Sequence, residues 1–265
     1  MQGGAESPGR NVPTRGPRGA ALAGVVSVIG GLVLWELVSR YLVANALFLA
    51  GPLQIARAVV ELAGTGELAR HIGISAAEFA LGYVIASVLG VICGMAMAES
   101  VVAKAVMQPW VSGLYATPTI ALAPLFILWL GVGIWSKVLV VITLVLFPVT
   151  INTEAGLRTT SERLIEMLRS FGARPAQIFF KVALPSALPF ILAGLKLGIG
   201  RGLIGVVVAE LFGSRAGLGR LISASADAFN MPDLFAGVVV LAAAGIVMTA
   251  GFSVLERRLV PWTRD

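Results

Sequence analysis

Charge is scarce in this chain of 265 residues: Asp, Glu, Lys and Arg together make up 13%, against 57% apolar residues. Mean hydropathy is +0.91. A soluble domain of this size has no interior able to hide so much apolar surface, so the composition predicts an all-α, polytopic membrane protein. Cysteine is nearly missing. Cys93 stands alone in an apolar run, which excludes an intrachain disulfide and a cysteine metal site and leaves a small packed side chain. His71 is equally alone, beside Arg70 at a predicted membrane boundary, and reads as an interfacial polar residue. No lysine follows a glycine, so a phosphate-cradling Gly-x-x-x-x-Gly-Lys-Ser/Thr loop is absent and the chain is not expected to hydrolyse ATP. His-Glu-x-x-His and Gly-x-Ser-x-Gly are missing too, so no catalytic residue is assigned.

What charge there is has a pattern. A net charge of +6 and a pI near 10.1 would suit nucleic acid, but the basic residues lie scattered between apolar spans and form no continuous patch. Membrane topology accounts for them. Arg10, Arg15 and Arg18, then Lys104, then Arg158 to Lys181, then Arg257, Arg258 and Arg264 alternate with sparser groups such as Arg40, Lys137 and Arg215. The positive-inside rule then gives six spans with both termini cytoplasmic. Residues 1–18 form a basic, Gly- and Pro-rich tail expected to be disordered and cytoplasmic, and 259–265 a second cytoplasmic tail. Residues 19–75 hold the first span and an outer amphipathic helix opening at Gly51-Pro52, with Ile55, Val59 and Leu62 on its membrane-lying face and a separate short helix through His71. Residues 76–258 are the core, with a cytoplasmic loop at 154–187.

Within the core, Ala76 to Met97 is a span whose Gly90 and Gly94 permit close packing inside this subunit. Glu78, near its outer end, is expected to reach water. After an inner turn from Glu99 to Lys104, the span from Val106 to Leu130 contains Pro109, Pro118 and Pro124. Prolines free backbone groups that membrane depth tolerates only against protein or a wet cavity, so Thr117, Pro118 and Thr119 are predicted to break this helix beside a solute path. Packing kinks unrelated to solute are the competing explanation. The span from Leu188 to Phe212 carries Lys196 and Arg201 too deep to be end anchors; both should face protein or water, as a cationic lining for an anion or as partners of a neighbouring helix.

The longest polar interval inside the apolar region, Ser161 to Pro189, organises the rest. Ser161 is placed to cap a helix with Leu164, Ile165 and Leu168 on one stripe; Gly172 supplies the left-handed stop, and Pro175 opens a second helix that Pro185 ends or kinks. Such a unit is too polar to span and too apolar on one side to stand in water. It is expected to dock on a soluble partner. Glu166, Gly172, Val182, Leu184 and Pro185 resemble the signature loop of binding-protein-dependent ABC importer permeases, with Met167 and Leu168 where that loop has two alanines. Ala193 to Lys196, Ala209-Glu210 and Gly217 to Gly219 resemble its nitrate/sulfonate/taurine branch, as do Pro124-Leu125, Gly131 to Gly133 and Ser136-Lys137.

That resemblance implies a type I importer permease fold and a coupling role for Glu166, Met167, Leu168, Ser170, Phe171, Gly172, Ala173, Val182, Leu184 and Pro185. It implies two copies of a cytoplasmic ABC ATPase that would hold ATP and Mg, with no cofactor or metal in this chain. A second permease copy, usually identical, and an extracytoplasmic solute-binding protein complete the expected set. The solute would be a sulfonate, taurine or nitrate-like anion, or else a vitamin precursor of pyrimidine or riboflavin type. A stand-alone secondary transporter or channel is the alternative from another class, and it lacks a mid-membrane coupling carboxylate; a non-transporting anchor is the third.

Overall fold

The computed structural model describes residues 17–43 and 48–261. Most of the expected tail at 1–18, all but Pro17 and Arg18, which already belong to α1, and most of that at 259–265 therefore lie outside the described residues. Those described are helical throughout, with no strand among them. In order the helices are α1 (Pro17–Leu37, prolonged by a π turn to Leu42), α2 (Pro52–Gly64), α3 (Glu67–Glu99), α4 (Val101–Ala116), α5 (Ala123–Leu130) and α6 (Ile134–Arg158). Then come α7 (Glu162–Ser170), α8 (Pro175–Ile178), α9 (Leu184–Gly213), α10 (Leu218–Asp227) and α11 (Met231–Leu259). Five helical runs are long and apolar enough to cross a membrane, and α4 with α5 makes a sixth if that bent pair counts as one span.

The core is a stack of α3, α6 and α9, with α6 in the middle. Phe79, Ala86, Val141, Val145, Val149, Ile199 and Val206 form its largest buried cluster. Small residues at every fourth position of α3 let the backbones meet: a Cβ on Gly82, Gly90 or Gly94 would press within 3 Å of Val141, Val149 or Thr153 on α6. Gly90 and Gly94 thus pack inside the subunit, as expected, because with lipid on one side only close van der Waals approach holds apolar helices together. The span in α1 buries nothing and touches the bundle chiefly near its end, where Trp35 meets Phe235 edge-on at 5.8 Å. Glu36 there accepts the Leu53 amide at 3.1 Å, an N–H of the first turn of α2 that has no helical acceptor.

Several boundaries differ from the sequence reading. No break separates a short helix at His71 from the following span: α3 runs unbroken from Glu67, started by Gly66 at φ +79. The inner turn expected from Glu99 to Lys104 shrinks to Ser100, whose side chain accepts the Ala103 amide at 3.2 Å and starts α4 at once. Pro185 does not end the second helix of the loop, because a π turn at Phe179–Ala183 re-phases the ladder and leaves Pro185 in the first turn of α9. Nor does α2 turn its apolar face to lipid alone; Ala58 and Leu62 bury against Leu218 and Leu221 of α10 and Ala236 of α11.

Candidate functional site

Three features carry polar groups into this bundle. The first is the interruption between α4 and α5, which are bent by 86°. Thr117 leaves the helix with ψ 137 and Pro118 continues with ψ 78, after which Thr119–Leu122 makes one 3-10 turn and Pro124 opens α5. The break falls on Thr117, Pro118 and Thr119, as the prolines predicted. The Thr117 hydroxyl donates to the Gly113 carbonyl at 2.8 Å, while Thr119 turns inward and is buried. Pro109, Trp110, Gly113, Leu114 and Thr117 line an open cavity of about 440 Å³ on this side.

Arg201 reaches the same helix from α9. Its guanidinium donates to the Tyr115 hydroxyl at 2.8 Å and lies over that ring, 4.8 Å from the centroid. Lys196 does something else: its ammonium sits 3.1 Å from the Glu256 carboxylate on α11, a pairing with a neighbouring helix. The structure therefore brings Arg201, Tyr115 and the broken segment together and places Lys196 apart from them. Tyr115 was not singled out in the sequence. Its position two residues before the Thr-Pro break was the available signal.

The second feature is a buried charged cluster. Glu78, expected to reach water, is 3% exposed; Lys137, expected in an outer turn, is also 3% exposed; Glu210 is fully buried. Lys137 Nζ stands 3.6 Å from Glu78 and donates to the Val132 carbonyl at 3.0 Å, while Glu78 also lies beside Glu210. Glu210 accepts from Ser75 Oγ and from the Gly219 amide, both at 2.6 Å. The helix carrying Glu78 begins about two and a half turns earlier than the sequence suggested, and the carboxylate lies under α6 and α9, away from solvent.

The third feature is the elbow from Ser161 to Pro185. Ser161 holds the N-cap position of α7, but the amides of Leu164 and Ile165 go to its carbonyl and its side chain makes no capping bond. The helix stops at Gly172, φ +78, where the Gly172 amide donates to Arg169 at 2.9 Å and the Ala173 amide to Leu168 at 3.0 Å. That pair of bonds is a Schellman closure, which needs a left-handed residue at Gly172. Leu168, Phe171, Gly172, Ala173 and Val182 then line one open groove of about 300 Å³ with Gln177, Ile178 and Lys181. Met167 is 49% and Phe171 80% exposed, and among the described residues no ion pair involves Glu166, neither with Arg169 nor with another cation. The Ser170 hydroxyl folds back on the Met167 carbonyl at 2.7 Å. Leu184 packs beneath, on the buried Leu157, Ala187 and Ile191. At the base, Glu154 pairs with Lys104 at 2.8 Å and Arg158 at 3.0 Å, tying α4 to the end of α6.

A bundle of up to six apolar helical segments, whose buried charges Glu78 and Lys137 lie between helices, is the architecture of a membrane permease. The chain belongs to the family described as binding-protein-dependent transport system inner membrane component, which matches residues 86–265. It is 32% identical over 233 residues to the formylaminopyrimidine transport permease protein ThiX of Halalkalibacterium halodurans, covering 88% of this chain and 92% of that one. It is 35% identical over 231 residues to the putative aliphatic sulfonates transport permease protein SsuC of Bacillus subtilis, covering 87% and 84%. Its fold matches a chain in a crystal structure of an amino acid ABC transporter with histidines, at TM-score 0.60 and 19% identity over 76% of this chain and 96% of the other. The chain is thus an inner-membrane permease of the ABC importer type.

Proposed function

We propose that this permease forms half of a translocation path for a small anion, an aliphatic sulfonate, taurine or nitrate-like solute handed over by an extracytoplasmic binding protein. Two copies of the chain pair in the bacterial inner membrane, each with both termini cytoplasmic, and each lays its elbow into a cytoplasmic ATPase subunit. ATP and Mg reside in those two ATPase subunits, and no cofactor belongs to this chain. Closure of the ATPase dimer on ATP draws the elbows together and rocks the attached spans toward the outward-open state; hydrolysis returns them. Glu166, Met167, Ser170 and Phe171 supply the exposed contact, Leu168, Gly172, Ala173 and Val182 its groove, and Leu184 and Pro185 its attachment to α9.

The observation that carries this reading is the elbow itself: a short helix closed by a Schellman turn, with Met167 and Phe171 exposed and no buried residue of its own. A rigid unit of that kind transmits a displacement, which a floppy loop would not. Thr117, Pro118 and Thr119 with Arg201 make the path, since freed backbone and an arginine at membrane depth suit a water-lined route for an anion. Lys196, matched by Glu256, contributes structure on the flank of that route.

The test is ATP-driven uptake of radiolabelled ethanesulfonate into proteoliposomes holding this chain, its ATPase and its binding protein. Uptake is expected to stop in Gly172→Pro, because proline cannot adopt φ +78. Uptake that needs no ATPase would replace this reading with a secondary transporter. The similarity to ThiX favours a second reading, the same machine carrying a formylaminopyrimidine, and uptake of that solute with no response to sulfonate would select it.

A further inference from the structure

Helix α10 opens with amides that its own sequence cannot cap. Gly217 holds its N-cap position at φ +125 and offers no side chain. Three consecutive amides are taken instead by side chains from two other helices. His71 Nδ1, which also stands 2.8 Å from the Gly217 carbonyl, accepts from the Gly217 amide at 2.9 Å in the tautomer that protonates Nε2; Ser75 Oγ accepts from Leu218 at 2.8 Å, and Glu210 from Gly219 at 2.6 Å. Ser75 closes the set by donating its hydroxyl to the other Glu210 oxygen at 2.6 Å. Ser75 and Glu210 are buried, and the backbone approaches so closely that a Cβ on Gly217 would overlap the Glu210 carboxylate. A carboxylate suits this place because both of its neighbours donate.

Glu210 lies in the last turn of a helical run that starts at the elbow. That run, Pro175–Gly213, is 39 residues with its π turn near the elbow. It is about 58 Å of continuous helix at 1.5 Å per residue. Past the clamp, α10 ends at the exposed Asp227, and Ala228 and Phe229, which follow it, are exposed as well.

We infer that Glu210 is a positioning residue that fastens α10 to the end of the α9 rod, so that the extracytoplasmic binding protein, docking at the exposed end of α10, signals through α9 to the elbow. This rests on the transport reading above and names the residues through which the far end of the permease reports. His71 and Ser75 hold the two preceding amides, Gly217 and Leu218, from α3. The clamp therefore moves α10, α3 and α9 as one body.

Two measurements test it. In reconstituted complexes, Glu210→Ala and the milder Ser75→Ala should keep basal ATP hydrolysis within about twofold of the parent, while stimulation by the ethanesulfonate-loaded binding protein falls about tenfold, the equivalent of one lost buried hydrogen bond. Glu210→Gln, which keeps one acceptor oxygen, should fall in between. Hydrogen exchange of the amides at Gly217, Leu218 and Gly219 should be slow in the parent and rise in each variant. Full stimulation in variants whose amides have become labile would overturn the proposal, as would fast exchange there in the parent. If Glu210→Ala does not assemble, Ser75→Ala carries the test. A parent chain that never engages an ATPase refutes the transport reading instead, and the exchange of the three amides still decides the clamp.

Discussion

The two ends of this bundle treat charge in opposite ways. At the elbow, Glu162, Arg163, Glu166 and Arg169 stand on a helix that buries no residue, and the Lys104 to Glu154 pair beneath it is part-exposed. At the other end Glu78, Lys137 and Glu210 are almost wholly withdrawn from solvent, and α10 is capped by side chains drawn from α3 and α9. Exposed charges rearrange at little cost, whereas buried ones are held only by good partners. The buried charges of the far end find their partners within one chain. The elbow presents an apolar edge, Met167 and Phe171, that only another protein would cover.

Variants can break that contrast. Lys137→Met removes the cation beside a buried carboxylate and should destabilise the solubilised protein by about 3 kcal/mol. Adding Glu78→Gln in the same chain should recover most of that loss, and a thermal-unfolding cycle across the single and double variants measures it. At the elbow the expected stability effects are smaller while function suffers more. Gly172→Ala forces a side chain into φ +78 and should cost about 1 kcal/mol, with transport lost beyond what the melting shift explains. Phe171→Ser should leave stability within about 0.5 kcal/mol and weaken copurification of the ATPase. Equal stability losses at the two ends would erase the distinction drawn here.

Local signals were legible in the sequence wherever one residue decides the backbone. Gly172 had to stop α7, the Thr117 to Thr119 run had to break a span, and Gly90 with Gly94 had to meet a neighbour; each depends on chemistry within a few positions. The clamp was not legible. Ser75 and Glu210 are separated by 135 residues, and neither the apolar period nor the charge count says that Glu78 will lie under α6 and α9. Placing the start of the second span at Ala76, where the helix begins at Glu67, moved Glu78 to the surface and hid the cluster. Pro185 misled for a related reason: a π turn just before it absorbed the missing hydrogen bond, and no sequence rule gives the place of a π turn.

The most direct test of the account places a photo-crosslinking amino acid at Phe171 in one variant and at Phe229 in another, since both side chains are exposed and stand at opposite ends. Irradiation of the assembled transporter in membranes should join the Phe171 position to the ATPase subunit and leave the Phe229 position free of it. Crosslinking of the ATPase from Phe229, or from neither position in a complex that still transports, would contradict the assignment of the elbow as the coupling surface.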